Sequence, residues 1–586
     1  MGVESAGRKD REWAANGATF QAMSTASPSA NEPSGQDDPR IRRTPYGRVE
    51  GMDDPALPGV WTWKSIPFAR PPVGPLRWRA PAAPEPWEGL RPAREFGPAS
   101  LQNGRLYGPG ENNRYDDTVA TSLGRPVGSE DCLSLNVWRP ATAEAGLPVL
   151  FFIHGGSNIS GFSADPVYDG ARLARETGAV VVTANYRLGV FGFLALPQLR
   201  SGGNSGDGGD SGNFALLDIL AALRFVRDGI AAFGGDPGRV TAMGQSAGAI
   251  NLLALMASPL SEGLFQQAMP LSGGISLATN LPAGSLPTLL PAGAYQAQGR
   301  ALLLHLLVAA GHASDAAAAS AFADGQDDAW IADFMRAQDG ATVLRTVLAA
   351  GLNGSGPIPD GEVLPADPIA AIAAGRCLKV PTLVGITRDE GKLFASFLTL
   401  FGGAPGLRVD DAARFRLMRD FDPDAPPSLG VADLIDPAYL PAEAPASGYD
   451  ARTALITRGF MEASRDSLMA ALAPQEQRLW HYRFDWAQEP PPWDTVYGAA
   501  HVFDLPFVFG NFGPSLFANA IASRANEGGR LALSQAMMAS IGAFLHRGDP
   551  NCEALGTAWA PWPSTLVLDA GPQAARIRLE APPPAA

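Results

Sequence analysis

The sequence predicts an α/β fold: a mostly parallel central sheet covered on both faces by helices, with further helical insertions capping it. Three observations predict it. Residues 148–153, 179–184 and 381–386 are near-continuous apolar runs, as expected of strands buried on both faces. Residues 214–232 carry Leu216, Leu217, Leu220, Leu223 and Val226 at helical spacing. Strand followed by helix, repeated along the chain, is the order of parallel strands joined by helical crossovers.

Ala-rich helical stretches at 299–310 and 330–350 fall between the presumed sixth and seventh strands, and are expected to cap the site. Loops are marked by composition at 101–128, 201–212, 403–449 and 488–500; loops this long in a compact domain tend to be functional. The shape of the substrate pocket is expected to depend on 101–128, 276–350 and 400–450. Residues 1–44, rich in Ser, Ala, Asn, Gly and Pro without periodicity, read as a loosely attached tail, and Met23 is a candidate start. The remainder, 45–586, reads as one decorated domain without internal repeats.

With 59 acidic against 45 basic residues, a net charge of -14 and no basic stripe, nucleic acid is not an expected partner. No apolar stretch reaches the length of a membrane span, and no secretion signal is visible. Cys132, Cys377 and Cys552 are far apart and show no metal-ligand spacing, so neither a metal nor a disulfide framework is expected. A reducing, cytoplasmic location is expected from the same pattern, with export the alternative. Scarce lysine beside abundant arginine, alanine and proline points to a GC-rich bacterial gene.

The most informative segment is Gly244-Gln245-Ser246-Ala247-Gly248, between the apolar run 240–243 and the helical pattern 249–256. A serine on so sharp a strand-to-helix turn is held in a strained backbone conformation, with no room for side chains two positions either side. Its hydroxyl stands at the carboxyl edge of the sheet, beside the Ala247 N–H and the positive end of the helix. A glycine-rich turn with a capping serine is the plainer alternative; the flanking strand and helix favour a nucleophile.

Such a serine needs a base, and the base needs a carboxylate to orient it. Of six histidines, His154 closes a strand ahead of Gly155-Gly156, His305 and His312 belong to an apolar helix and its end, His481 sits in an alternating strand, and His546 lies near a helix C-terminus. His501 remains, after the loop that follows a strand, where the last catalytic element is expected. The acid is expected in the loop after 381–386, where Asp389 and Glu390 are equally placed. His154-Gly155-Gly156-Ser157 follows a buried strand and can offer main-chain N–H groups to an oxyanion, which makes Gly156, Ser157 and Ala247 the candidate donors. Asn158, Ile159 and Phe162 are expected either to border the pocket or only to pack the oxyanion loop.

These pieces stand in order with further motifs: Ile66-Pro67-Phe68-Ala69-Arg70-Pro71-Pro72-Val73-Gly74, Glu130-Asp131-Cys132-Leu133-Ser134-Leu135-Asn136-Val137, Asn185-Tyr186-Arg187-Leu188-Gly189, Phe233-Gly234-Gly235-Asp236-Pro237, Arg388-Asp389-Glu390-Gly391 and Gly498-Ala499-Ala500-His501. Over about 47–562 the chain resembles the type-B carboxylesterases, a family that includes cholinesterases and para-nitrobenzyl esterases. The resemblance implies the α/β-hydrolase fold, an acyl-enzyme mechanism without cofactor on small-molecule esters, and Glu390 rather than Asp389 as the acid. It also marks three departures. Ser100 stands where the family has the cysteine that pairs with the one at 132, which removes a constraint typically worth ~2 to 4 kcal/mol and is expected to loosen 100–132. Gln245 replaces the usual glutamate beside the nucleophile, so uncharged esters are expected in preference to cationic ones, with Gln245 in the pocket. Ser157 replaces the third glycine of the oxyanion loop. A carbamate or amide hydrolase using the same three residues, and a non-catalytic binding protein on the same fold, are the alternatives.

Overall fold

The computed structural model describes residues 38–200, 211–352, 354–515 and 517–581. From Arg40 onward these form one unit. Its spine is a sheet built from β1 (Met52–Asp53), β2 (Val60–Pro67), β3 (Ser134–Pro140), β4 (Leu147–Ile153), β5 (Val180–Ala184), β6 (Gly235–Gln245), β7 (Gln267–Leu271), β8 (Thr382–Thr387), β9 (Leu479–Phe484), β10 (Thr565–Ala570) and β11 (Ala575–Glu580). The spatial order is β11-β10-β9-β8-β7-β6-β4-β5-β3-β2-β1. Strands β4 to β10 are parallel, and both edges close with antiparallel pairings.

The apolar runs are long because successive side chains serve different cores. Along β4, Val149, Phe151 and Ile153 enter the layer that contains Leu216, Leu220 and Leu223 of α1 (Phe214–Gly229) and Leu252 of α2 (Ala247–Ala257). Leu150 and Phe152 enter the opposite layer. A strand with period-two side chains and helices on both faces has no solvent side left to make polar.

The winding of the sheet positions the site. From β4 the chain moves outward to β5, then crosses back so that β6 lies on the other side of β4. Loops leaving the carboxyl ends of β4 and β6 therefore part at a topological switch point, the usual place for a ligand crevice in open α/β sheets. The register sets Gly244 of β6 beside Ile153 of β4, which brings the serine turn against the His154-Gly155-Gly156 loop.

Several expectations need correction. The helical insertion comprises α3 (Ala292–Ala309), α4 (Ala316–Asp324), α5 (Asp328–Ala337) and α6 (Gly340–Ala349), with Asp315, Asp327 and Asp339 capping the last three. It packs Leu302, Leu306, Met335 and Val343 with Trp78, Val190 and Phe191 into a core of its own, and no residue of 276–350 lines the cavity beside Ser246. The segment 403–449 contains α7 (Asp411–Arg419), which the composition had marked as loop; the Asp410 side chain accepts from Ala413 N–H, and Arg416 and Arg419 occupy the last turn. Of the expected tail, 1–37 lie outside the described residues, but Ile41–Arg43 pairs with Arg48–Glu50 and the Trp63 indole donates to the Arg40 carbonyl. In the expected glycine-rich loop, 201–210 also lie outside the described residues. Cys132 is buried and free, and the segment it would have closed is tied instead by the bridge of Ser100 to Ser129. Among the described residues, no helix is long and apolar enough to cross a membrane.

Candidate active site

Ser246 sits on the turn between β6 and α2 with φ 57° and ψ −125°, outside the regions that L-residues ordinarily occupy. Its own N–H donates to the Leu271 carbonyl at 2.8 Å, and its carbonyl accepts from Ile250 at 3.0 Å, so both neighbouring elements hold the strained turn. The glycine spacing has a steric cause. A Cβ at Gly244 would overlap the Gly248 carbonyl, and one at Gly248 would overlap the carbonyl of Ile153 on β4. Gly155 is equally constrained: a Cβ there would lie 2.7 Å from Gln245 Oε1 and 2.9 Å from the Ser246 Cβ.

The two candidate acids separate cleanly. Glu390, fully buried, accepts from the Thr387 N–H through Oε1 at 2.8 Å, and its Oε2 is in close hydrogen-bond contact with His501 Nδ1. Asp389 holds the same loops together by other bonds: its N–H donates to the Ala499 carbonyl at 2.8 Å, its Oδ2 accepts from the Ala499 N–H at 3.1 Å, and Arg388 pairs with it. The Phe394 ring packs on the imidazole with centroids 4.8 Å apart. Behind the pair lies Asp504, whose Oδ2 accepts from the Tyr482 hydroxyl at 2.7 Å; burial pushes its carboxyl up to about 6. Val502, next to His501, has φ 73°, a rare value for a β-branched residue.

His501 Nε2 faces the Gln245 amide at 3.1 Å. Among the described residues the Ser246 hydroxyl makes no hydrogen bond, yet Ser246, Gln245 and His501 border one cavity. Glu390 on Nδ1 and the Gln245 amide on Nε2 thus hold both ring nitrogens of His501.

The loop after β4 turns back sharply, with φ 107° at Gly156, 56° at Ser157 and 57° at Asn158. The main-chain N–H groups of Gly156 and Ser157 donate to nothing among the described residues. Ala247, first residue of α2, has no intrahelical acceptor for its N–H either. His154 lies behind them, stacked on Tyr186 at 4.5 Å with Nδ1 against the Gly155 carbonyl, and burial lowers it to about 4, so it is neutral at ordinary pH.

The cavity measures about 510 Å³. Gly155, Gly156, Ser157, Gly161, Gln245, Ser246 and His501 form one side of it, while Tyr107, Phe394, Phe397, Leu407, Val409 and Phe517 form much of the rest. Arg105, Asp165, Asp411 and Arg414 add charge. Of the pocket residues expected from sequence, Gln245 lines this cavity and Asn158, Ile159 and Phe162 do not: the Gly156 carbonyl accepts from both Ile159 and Ser160, which folds the loop away from the opening. Loops 101–128 and 400–450 contribute as expected. The contribution of 393–397 was not foreseen, although its place directly after Glu390 was the available signal. The other histidines lie elsewhere: His481 beside Thr565, His546 against the Thr177 carbonyl, His312 among Phe322, Trp330 and Phe334, and His305 exposed on α3.

The family model described as "Carboxylesterase family" matches residues 38–580, almost the whole length. The chain belongs to the carboxylesterase family. It is 34% identical over 537 residues to a para-nitrobenzyl esterase of Bacillus subtilis, covering 90% of this chain and 95% of that one. It is 36% identical over 505 residues to a fumonisin B1 esterase of Sphingopyxis macrogoltabida, covering 85% and 79%. A solved PNB esterase superposes with a TM-score of 0.68 at 30% identity, covering 92% of this chain and 97% of its own. This carboxylesterase therefore has the α/β-hydrolase fold, and its chemistry is the hydrolysis of carboxylic esters by a serine enzyme.

Proposed function

We propose that Ser246, His501 and Glu390 are the catalytic triad of this esterase and that the N–H groups of Gly156, Ser157 and Ala247 form its oxyanion hole. The observation that carries the reading is the buried Glu390–His501 contact opening onto the same cavity as a serine held at positive φ. When an ester enters, the Gln245 amide gives up Nε2 and the imidazole turns to the Ser246 hydroxyl. As Oγ bonds to the carbonyl carbon, its proton passes to Nε2 and the carbonyl electron pair moves onto oxygen, where the three N–H groups receive it. Collapse restores the carbonyl and breaks the bond to the alcohol oxygen, which leaves with the proton from Nε2. Water then repeats the sequence on the acyl-enzyme: it loses a proton to Nε2, and Ser246 leaves with that proton as the acid is released. Glu390 keeps the ring oriented and stabilises its cationic form.

Aromatic and aliphatic side chains dominate the cavity wall, which suits an ester with an apolar acyl or alcohol part. Ser246→Ala is expected to lower kcat by about 10⁴- to 10⁶-fold, and to abolish labelling by an organophosphonate probe. Retention of most activity and of labelling by the purified variant overturns the assignment.

A further inference from the structure

The oxyanion donors come from two separate segments, the loop after β4 and the first residue of α2. The β4–β6 register brings the two segments together, but among the described residues no main-chain hydrogen bond joins 155–161 to 246–257 directly, and the N–H groups of Gly156 and Ser157 stay free. Asn158 and Asn251 stand between the two segments. Asn251 lies one turn into α2 and is fully buried, and Asn158 is 2% exposed. Asn251 Nδ2 donates to Asn158 Oδ1 at 2.8 Å, and Asn158 Nδ2 donates back to Asn251 Oδ1 at 3.3 Å. Among the described residues, these are the only side-chain hydrogen bonds that join 155–161 to 246–257. A reciprocal amide pair of this kind has one spacing and one orientation at which both bonds close.

The Asn158 main chain is anchored as well. Its carbonyl accepts from the Gly189 N–H at 2.6 Å and from the Ser355 hydroxyl at 3.0 Å. With φ at 57°, Asn158 is the third consecutive residue of this loop in a backbone region favoured by glycine, and its side chain supplies bonds to hold it there. Neither asparagine lines the cavity.

We propose that Asn158 and Asn251 are positioning residues: their amide pair sets where the Gly156 and Ser157 N–H groups lie relative to Ser246 and the Ala247 N–H. The proposal rests on the triad and oxyanion assignments above. An oxyanion donor acts on the transition state and hardly on the bound ester, so a clamp that aims such donors shows itself in kcat and not in KM. The test is a cycle of Asn158→Leu, Asn251→Leu and the double variant, with Asn251→Asp as a shape-preserving fourth. Each is assayed on one ester and for inhibition by a trifluoromethyl ketone, which forms a tetrahedral oxyanion on the serine. Each single Leu variant should lose about 10- to 100-fold in kcat with KM within about threefold, and weaken ketone inhibition by a similar factor. The double variant should be no slower than the worse single one, because either change breaks the whole pair. Asn251→Asp, which can still accept from Asn158, should fall between wild type and Asn251→Leu. Multiplying effects, a loss confined to KM, or unchanged kcat and ketone inhibition in folded variants overturns the clamp. If Ser246→Ala is inactive while the asparagine variants match wild type, the clamp alone fails; if Ser246→Ala is active, the triad reading fails first.

Discussion

Two insertions in this esterase, 292–349 and 393–419, differ in what they bury. The helices at 292–349 bury their apolar side chains against one another and against Trp78, Val190 and Phe191. Arg77, paired with Glu130, binds the carbonyls of Arg336 and Gln338 and so fastens this block to the body of the protein. The segment from Leu393 to α7 is poorer in helix and richer in glycine and proline, yet it sends Phe394, Phe397, Leu407, Val409 and Arg414 to the cavity. Periodicity reports that a helix has an apolar face; it does not report which surface that face meets. The block with a core of its own is free of the site, and the segment that lacks one completes itself against the site.

The contrast is sharpest when both are set against the sheet edge between them. Glu390→Gln keeps the shape of the carboxylate but presents the wrong group to His501 Nδ1, and kcat should fall by about 10⁴-fold with little change in folding. A loss below about tenfold would mean that another carboxylate, such as Asp504, orients the ring. Phe397→Ala, in the cavity wall, should reorder preference across a series of esters of graded acyl length, with kcat/KM changing about tenfold or less for each. If it lowered kcat equally for every ester, the segment would belong to the catalytic machinery and the comparison would break.

Leu306→Ala tests the other half. Its side chain is fully buried in the insertion core, so the substitution should destabilise by about 2 to 5 kcal/mol while kcat/KM at 25 °C stays within about twofold. Thermal unfolding and steady-state kinetics on the same preparation decide it. A marked fall in kcat/KM in the folded variant would show that the helices reach the site after all.

Much of this was legible because it is local. The three strands read from 148–153, 179–184 and 381–386 were found to within one residue, since a run buried on both faces has few other interpretations. Ser246 was legible from glycines whose spacing is dictated by backbone carbonyls of the adjoining helix and strand. Asp389 and Glu390 were not separable by position, because both work on the loop that carries His501: one bonds its backbone at Ala499, the other its imidazole. Asn158 was misplaced for a physical reason of the same kind. Three successive positive φ values turn it inward to a partner 93 residues away, and no pattern in the sequence announces that bond. Gly161, which the same turn brings to the cavity, carries no side chain to attract notice.

The smallest expected effect concerns Asp165, in the cavity wall opposite in character to its aromatic neighbours. One carboxylate oxygen accepts from the Val167 N–H at 2.9 Å, and burial pushes the group up to about 6 from the ordinary 3.8. The folded chain therefore binds this proton more tightly than the unfolded one. The contribution to stability is fully present below about 4 and is lost as pH rises through about 6, so at neutral pH the ionised carboxylate is a burden on the fold. Asp165→Asn keeps the acceptor for Val167 and removes the charge. It should raise the thermal midpoint by about 1 °C or more at pH 7.5 and by less at pH 4, where the wild-type group is already neutral. An equal shift at both pH values would trace the effect to packing. A larger shift at pH 4 would mean that the carboxylate is stabilised in the wall by a cation, with Arg105 and Arg414 of the same cavity as candidates.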